Sequence, residues 1–473
     1  MNPISLAFFI ACALALLSVP RKWAPAALLV GCTYMTLGQG IEIGSINLPV
    51  YRMMLLVGLI RVMLKGERIG GGLNTIDKLV LVWSLWSIFA GFFHDQERYS
   101  VIYFCGGVFN VALIYFLIRI WCNDIEEAQS VIAVVAVILV PIAIEMLLEK
   151  STGKNLFSFL GGVPENVYVR EGKLRAQGPF LHAILAGTVG ATSIPLFIGL
   201  FGRYRIIATL GIAAGVIMTF ASASSGPVMS LLAGSGALML WRYRQHVYKL
   251  RIACVLAYLV LMVTMAQPPY YLISRIDISG GSTGWHRSFL IDQTFKHLSE
   301  WWLFGTDITR HWMPMQGIAS DPQHTDITNY YIGFGVAGGL AAMVLVIVML
   351  LVAFKWVGKT ITTWGNENSG RCFMIWCFGA TLFAHAATSI SVAYFDQSVL
   401  YFWLSLAVIS SIHSISQLGE QEPELSEFKD HFGDDFGGLE IPALTAGERN
   451  REWREAYRRR LSVESGESSG ARN

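Results

Sequence analysis

Three residues of this chain, Arg175, Arg287 and His324, combine types and positions suited to chemistry on an anion. Arg287 stands one turn before Ile291 on a stripe of Ile291, Phe295, Leu298 and Trp302 at helical spacing, with Gln293, Lys296 and Glu300 opposite. Ser282 or Thr283 would cap that helix. A guanidinium keeps its proton and is costly to bury alone, so an Arg on the apolar stripe predicts an anion beside it. Asp321 and Pro322 read as the cap and first position of the next helix, with His324 in its first turn, near N–H groups that favour negative charge. Arg175 lies in a second polar segment with Arg170 and Lys173, just before Gly178, Pro179, Phe180 and His182 at the mouth of a helix. A basic cluster beside a helix start suits phosphate and anionic lipid headgroups alike; both remain open for Arg175, and the headgroup reading is preferred for Arg170 and Lys173.

The elements that must position these residues are membrane spans. The 473-residue chain is 54% apolar and 14% charged. Since ~20 apolar residues cross a bilayer core, about thirteen segments qualify: 4–20, 23–39, 48–64, 76–94, 101–121, 129–148, 180–201, 205–222, 226–241, 250–267, 328–354, 371–391 and 395–415. The expected fold class is all-α, a polytopic membrane protein of about 12–13 transmembrane helices over residues 1–415. Two longer loops, 149–179 and 268–327, interrupt it, the second carrying amphipathic helix. Residues 416–473 form an acidic then basic tail, expected to be mostly disordered with a short basic helix at 448–461. The first segment lacks a basic leader and a cleavage site and reads as a retained span. Arg21, Lys22, Arg61, Lys65, Arg119, Arg203, Arg205, Arg242, Arg244, Lys355 and Arg371 fall on one set of short loops, whereas the opposite set carries only Arg98. The basic set, and with it the tail, is expected in the cytoplasm, which leaves both long loops outside. All seven cysteines lie in or at the ends of spans, so no disulfide framework is implied.

Other polar positions are weighed against plainer roles. Arg52 sits within a turn of its span's outer end, where it could serve the site or simply snorkel. Glu145 reads as half of a salt bridge, and His385 as a hydrogen-bonded interior residue. The turn Ser222–Pro227 has no acid or base pattern and reads as a tight turn. Gly335 and Gly339 form a GxxxG pair that close helix packing explains. His297, His311, His324, Asp307, Asp321 and Asp326 could assemble a metal site, but no ligand spacing supports one, so neither metal nor other cofactor is expected. A nucleic-acid partner is not expected either.

Soluble activated metabolites are cytoplasmic, whereas Arg175, Arg287 and His324 fall outside, so a reaction there needs a donor carrying its own activation. A lipid-linked sugar diphosphate supplies it: the diphosphate leaves without general-acid help, arginines stabilise its charge, and His324 could take the proton of an attacking hydroxyl. Trp285, Trp301, Trp302, Trp312, Tyr330 and Tyr331 would offer faces to sugar rings or form an interfacial belt. Transport is the other class, disfavoured by the scarcity of broken or charged midplane helices.

Arg175 with Gly178-Pro179-Phe180 opening a span, Gly284-x-x-Arg287 before a helix and Trp302-Leu-Phe-Gly305, and His324 before a Tyr-rich span with Gly335-Val-Ala-Gly-Gly339 together resemble the bacterial O-antigen ligase/polymerase superfamily. The resemblance covers about residues 100–415. It implies a GT-C-like inner-membrane glycosyltransferase that is metal-independent, inverts the anomeric carbon and uses undecaprenyl-diphosphate-linked glycans. Its products are O-antigen, lipopolysaccharide or exopolysaccharide. The family's essential arginines would fall on Arg175 and Arg287, and its loop histidine on His324. From the residues themselves, Arg52 is expected as a further diphosphate contact and Trp285 and Tyr331 toward the sugar. The chain departs from the pattern where Thr325-Asp326 follows the histidine and where Ser224-Ser225-Gly226 lacks an Arg. The expected function is a polysaccharide polymerase; the alternatives are a ligase, using the same donor with a lipid A-core or other acceptor, and a lipid-linked glycan flippase. Expected partners are the lipid-linked glycan, a glycan or lipid acceptor, membrane lipids and a chain-length regulator.

Overall fold

The computed structural model describes residues 1–44, 46–94, 101–275, 284–313, 323–365 and 369–432, with backbone alone from 418 onward. Every apolar segment holds a helix: α1 (Pro3–Ser18), α2 (Ala24–Tyr34), and, after a hairpin of β1 (Gly40–Ile43) and β2 (Ile46–Pro49), α3 (Val50–Lys65), α4 (Thr75–Ala90), α5 (Val101–Trp121) and α6 (Ile125–Thr152). A second hairpin, β3 (Tyr168–Arg170) and β4 (Lys173–Arg175), precedes α7 (Ala183–Gly199), α8 (Arg205–Ala221), α9 (Ser225–Met239) and α10 (Val247–Thr264). The long loop contributes α11 (Gly284–Lys296) and α12 (Leu298–Trp301), and the chain returns through α13 (Tyr330–Trp364), α14 (Ser369–Thr388) and α15 (Ser398–Phe432). Among the described residues seven helical stretches are long and apolar enough to cross a membrane, and α1 and α8 are shorter apolar helices. The fold is therefore mostly helical with membrane-type spans, relieved by two short hairpins that helical periodicity does not reveal. The tail, Gly419–Asn473, is a unit apart from Met1–Leu418; its described part, 419–432, is helical, and the basic helix expected at 448–461 lies outside the described residues.

Polar residues set the helix ends. Asn74 and Asp77 form a reciprocal capping box on α4, the Asp77 N–H donating to Asn74 Oδ1 at 3.0 Å and the Asn74 N–H to Asp77 Oδ2 at 2.9 Å. Asp124 caps α6, and Gly153, at φ 73°, ends it in the left-handed conformation. Small residues then let the bundle close. A Cβ on Gly187 would meet Ser222 Oγ at 2.4 Å, and one on Gly190 the Gly215 carbonyl oxygen at 2.9 Å, so α7 and α8 approach almost backbone to backbone. Helix α10 behaves differently: none of its residues is buried.

Glu149, at the end of α6, roots the β3–β4 hairpin. Its carboxylate accepts the Gln177 N–H at 2.9 Å and the Gly178 N–H at 2.9 Å and is fully buried. Glu145 is not half of a salt bridge as its sequence position suggests; it accepts the Leu156 N–H at 2.9 Å, because the chain folds back over the helix end and brings backbone donors rather than a cation. His385 shares a hydrogen bond with the Tyr394 hydroxyl at 2.8 Å, as an interior histidine should. Replacing Glu149 by Ala leaves buried N–H groups at Gln177 and Gly178 without an acceptor, at about 1–3 kcal/mol each in general. Limited proteolysis should then cut between 160 and 176 at protease levels that leave the wild-type chain intact.

The long loop is held differently from its sequence pattern. The buried face of α11 includes His286, Ser288, Leu290, Ile291 and Thr294, whereas Phe295 is 64% and Trp302 51% exposed. The helix breaks at His297, which shifts the register so that Trp301, not Trp302, enters the core. Trp301 packs with Leu290, Ile291, Trp312, Met313, Ile332 and Val336 in a second hydrophobic cluster beneath the loop. Helix α13 starts at Tyr330, capped by Asn329, rather than at Pro322, so His324 is not in a helical first turn. The chain before Tyr330 is held by the loop instead: the Thr309 and Arg310 N–H groups donate to the Gln323 carbonyl at 3.0 Å, and the Thr325 N–H to Thr309 Oγ1 at 3.0 Å. Ser282, Thr283, Asp321 and Pro322, expected as caps and helix start, lie outside the described residues, as does Arg98.

Nor do Gly335 and Gly339 pack against another span; they face Trp301 of α12 and the Trp302–Leu303 segment after it. Helix α13 is interrupted at Gly338 and Gly339, and the loop docks into the gap: the Thr306 N–H donates to the Val336 carbonyl at 2.9 Å, and the Leu340 N–H to the Trp302 carbonyl at 2.9 Å. Gly335 lies under the Trp301 ring, where a Cβ would come within 2.6 Å. From α4, Trp86 Nε1 donates to the freed Gly338 carbonyl at 2.7 Å.

Candidate functional site

A cavity of about 670 Å³ opens where α7, α9 and α13 begin and α8 and α14 end. Its cationic wall comes from the β3–β4 hairpin. Glu171 (φ 51°) and Gly172 (φ 72°) form the two-residue turn, with both centres left-handed as such hairpins require. The antiparallel register pairs Tyr168 with Arg175 and Arg170 with Lys173. Alternate residues and directly opposed residues share one face of a strand pair, so these four project together, and all four line the cavity. The opposite face holds Val169 and Leu174.

Arg175 is 6% exposed and its Nη2 donates to Ser224 Oγ at 2.5 Å. That serine sits before α9, after a turn in which Ala223 has φ 44°. Its hydroxyl donates in turn to the Ser222 carbonyl at 3.0 Å and makes no capping bond to α9. Across the cavity stands Arg287 of α11, half-buried. Burial, then Arg170 and Arg175, push its pKa down, while Asp326 pulls it up. Burial and Arg170 likewise lower Arg175. Other buried cations in the chain have carboxylate partners: Arg61 pairs with Glu67 at 2.8 Å and Arg119 with Asp77 at 3.4 Å. Arg175 and Arg287 have none among the described residues, and their Nε atoms are buried without an acceptor. Among the described residues of the wall, four cationic side chains, Arg170, Lys173, Arg175 and Arg287, accompany one carboxylate, Asp326. Arg175 and Arg287 are thus guanidinium groups with buried Nε atoms and no carboxylate partner among the described residues, and a diphosphate would supply the acceptor oxygens.

Two helix starts add to this. Ser225 opens α9, and His182, just ahead of α7, accepts the Ile184 N–H on Nδ1 at 3.3 Å; both residues line the cavity. Burial and then Arg175 hold the His182 pKa below that of an ordinary imidazole. Leu181, Ile184, Val392 and Phe395 give the cavity an apolar border.

Of the residues singled out in the sequence, the fold brings Arg175 and Arg287 together here. His324 is buried and outside the cavity wall, two residues from Asp326, which is in it. Arg52 donates to the Asn47 carbonyl at 2.9 Å and to Asn110 Oδ1 at 3.1 Å, away from the wall. Trp285 is 54% exposed and Tyr331 donates to the Ala386 carbonyl at 2.9 Å; neither lines the cavity. Arg170 and Lys173, read from sequence as headgroup contacts, join Arg175 on the wall, and the Ser222–Pro227 turn supplies Arg175's anchor. The alternation of Tyr168, Arg170, Lys173 and Arg175 around Glu171-Gly172 was the available signal.

Of the metal-type residues, His297 Nδ1 lies 2.7 Å from Glu300 Oε1, and His311 Nε2 2.9 Å from Glu300 Oε2. The three ligand atoms fall within 4.8 Å of one another, but the group is outside the cavity wall and its hydrogen bonds account for it. Compared with protein-family models and with curated proteins, the chain matches none.

Proposed function

We propose that this chain is a membrane glycosyltransferase that takes oligosaccharide repeat units from undecaprenyl diphosphate and joins them into exopolysaccharide or O-antigen at the outer face of the bacterial inner membrane. The observation that carries this reading is the placement of Arg175 and Arg287, whose buried Nε atoms have no acceptor among the described residues, on one cavity wall with Arg170 and Lys173 beside them. A lipid-linked diphosphate fits both parts of that cavity, its charge meeting the cations and its isoprenoid chain the apolar border at Leu181, Ile184 and Phe395. As the glycosidic bond breaks, charge grows on the diphosphate, and preorganised guanidinium groups stabilise it more than the ground state. No metal is needed for that role. The helical bundle with its docked external loop is in keeping with the GT-C-like architecture that the motifs imply. The basic residues Arg203 and Arg371, which share Glu126 at 3.4 and 3.6 Å, lie by chain direction at the end away from the cavity, in support of an external site.

The test uses the full chain in proteoliposomes with a synthetic lipid-diphosphate oligosaccharide. The expected result is released lipid diphosphate and a ladder of lengthened glycans. Transfer only onto an added lipid A-core acceptor would replace polymerase by ligase. Donor that crosses the bilayer unchanged would overturn the enzymatic reading.

A further inference from the structure

We propose that Asp326, rather than His324, accepts the proton of the attacking sugar hydroxyl, an inference that rests on the glycosyltransferase reading. A general base must reach the reacting atoms, so it must be on the cavity wall. Among the described residues there, the arginines and Lys173 offer donors and no acceptor, and Tyr168, Ser224, Ser225, Thr328 and Ser391 offer hydroxyls, which are poor bases. His182 is excluded by its tautomer. Its Nδ1 accepts the Ile184 N–H, so a neutral imidazole carries its proton on Nε2 and presents a donor, not an acceptor, to the cavity. His324 is buried and does not line the wall. Asp326 does line it, is exposed to it, and its carboxylate makes no salt bridge or hydrogen bond with a described residue. Asp326 lines the same cavity as Arg287, the group proposed to hold the diphosphate, and its charge raises the pKa of that guanidinium.

The step balances without another reactant. The hydroxyl oxygen forms its bond to the anomeric carbon while its proton passes to an Asp326 carboxylate oxygen. The bond from that carbon to the diphosphate oxygen breaks, and the electron pair leaves on the lipid diphosphate. The proton is then released to solvent.

The experiment compares Asp326→Asn, Asp326→Glu, Asp326→Ala and His324→Ala in the same proteoliposome assay, with donor KM and turnover measured separately. Removing a general base typically costs 10²–10⁴-fold. Turnover of Asp326→Asn should therefore fall about 100-fold or more, with donor KM changed less than threefold. Asp326→Glu should recover part of the rate, and added formate should partly rescue Asp326→Ala, which a purely structural role would not allow. Full turnover in Asp326→Asn with loss in His324→Ala would overturn the assignment and return the role to the histidine. Absence of any transfer by the wild type would instead overturn the glycosyltransferase reading, and the base with it.

Discussion

Arg287→Ala is expected to abolish glycan transfer, by at least about 100-fold, the usual loss when one preorganised donor to a developing anion is removed. Its thermal stability in detergent should match or exceed that of the wild type. Both halves follow from the same geometry. Arg287 is half-buried near Arg170 and Arg175, and among the described residues Asp326 is the one opposing charge on the wall. In the unliganded protein its charge is disfavoured by desolvation and by repulsion, so removing it relieves the folded state. With a diphosphate in place the same isolation becomes binding energy. Arg287→Lys keeps the charge but loses the planar fork that grips two phosphate oxygens, so it should recover little activity. The measurements are product electrophoresis against a known amount of inserted protein, and a melting curve for each variant. Wild-type transfer by Arg287→Ala would remove this wall from the mechanism, whereas lost transfer with a large drop in melting temperature would make Arg287 structural.

Much of the helical architecture was legible in the sequence because ~20-residue apolar runs and small-residue faces are local signals. Arg287 was legible for a physical reason too: a permanent charge on an otherwise apolar stripe has to be answered by something. What the sequence concealed were features fixed by distant partners. The stripe through Phe295 and Trp302 assumes one uninterrupted helix, and the break at His297 rotates Trp301 inward instead. Arg170 and Lys173 looked like lipid contacts because their cavity exists only once α9, α11 and the α14–α15 connection close around the hairpin. His324 shared the expected helix start with the next residues, and the later start at Tyr330 leaves His324 in the interior and Asp326 on the wall. Arg52 drew attention as an intramembrane charge, yet Asn47 and Asn110 satisfy it locally.

Gly339→Ala should be the most damaging small substitution in the loop's docking site. Gly339 has φ 72° and ψ −176°, a region open essentially only to glycine, and an added Cβ would stand 2.1 Å from the Leu303 carbonyl oxygen. Backbone cannot swing aside as a side chain can, so relief requires the Trp302–Thr306 segment to lift off. That breaks the Leu340-to-Trp302 hydrogen bond and exposes the facing Gly305, whose own φ of 100° fits the same close approach to Val336. Strain of this kind costs about 1–3 kcal/mol and overpacking about as much again, so a loss of roughly 3 kcal/mol or more is expected. Gly333→Ala is the control: the same helix, nothing within 4 Å of the new Cβ, and an ordinary helical backbone, so stability should be unchanged or slightly raised. Thermal unfolding in detergent and protease cleavage across 298–313 should separate the two variants. Because α11 shares its hydrophobic cluster with Trp301 and Val336, undocking also releases Arg287 from the cavity, and Gly339→Ala should lose transfer along with protection. Equal melting and equal cleavage in the two variants would mean that the interrupted helix does not hold the loop, and the positioning of Arg287 would then fall to the contacts that α4 makes with Phe304 and Gly338.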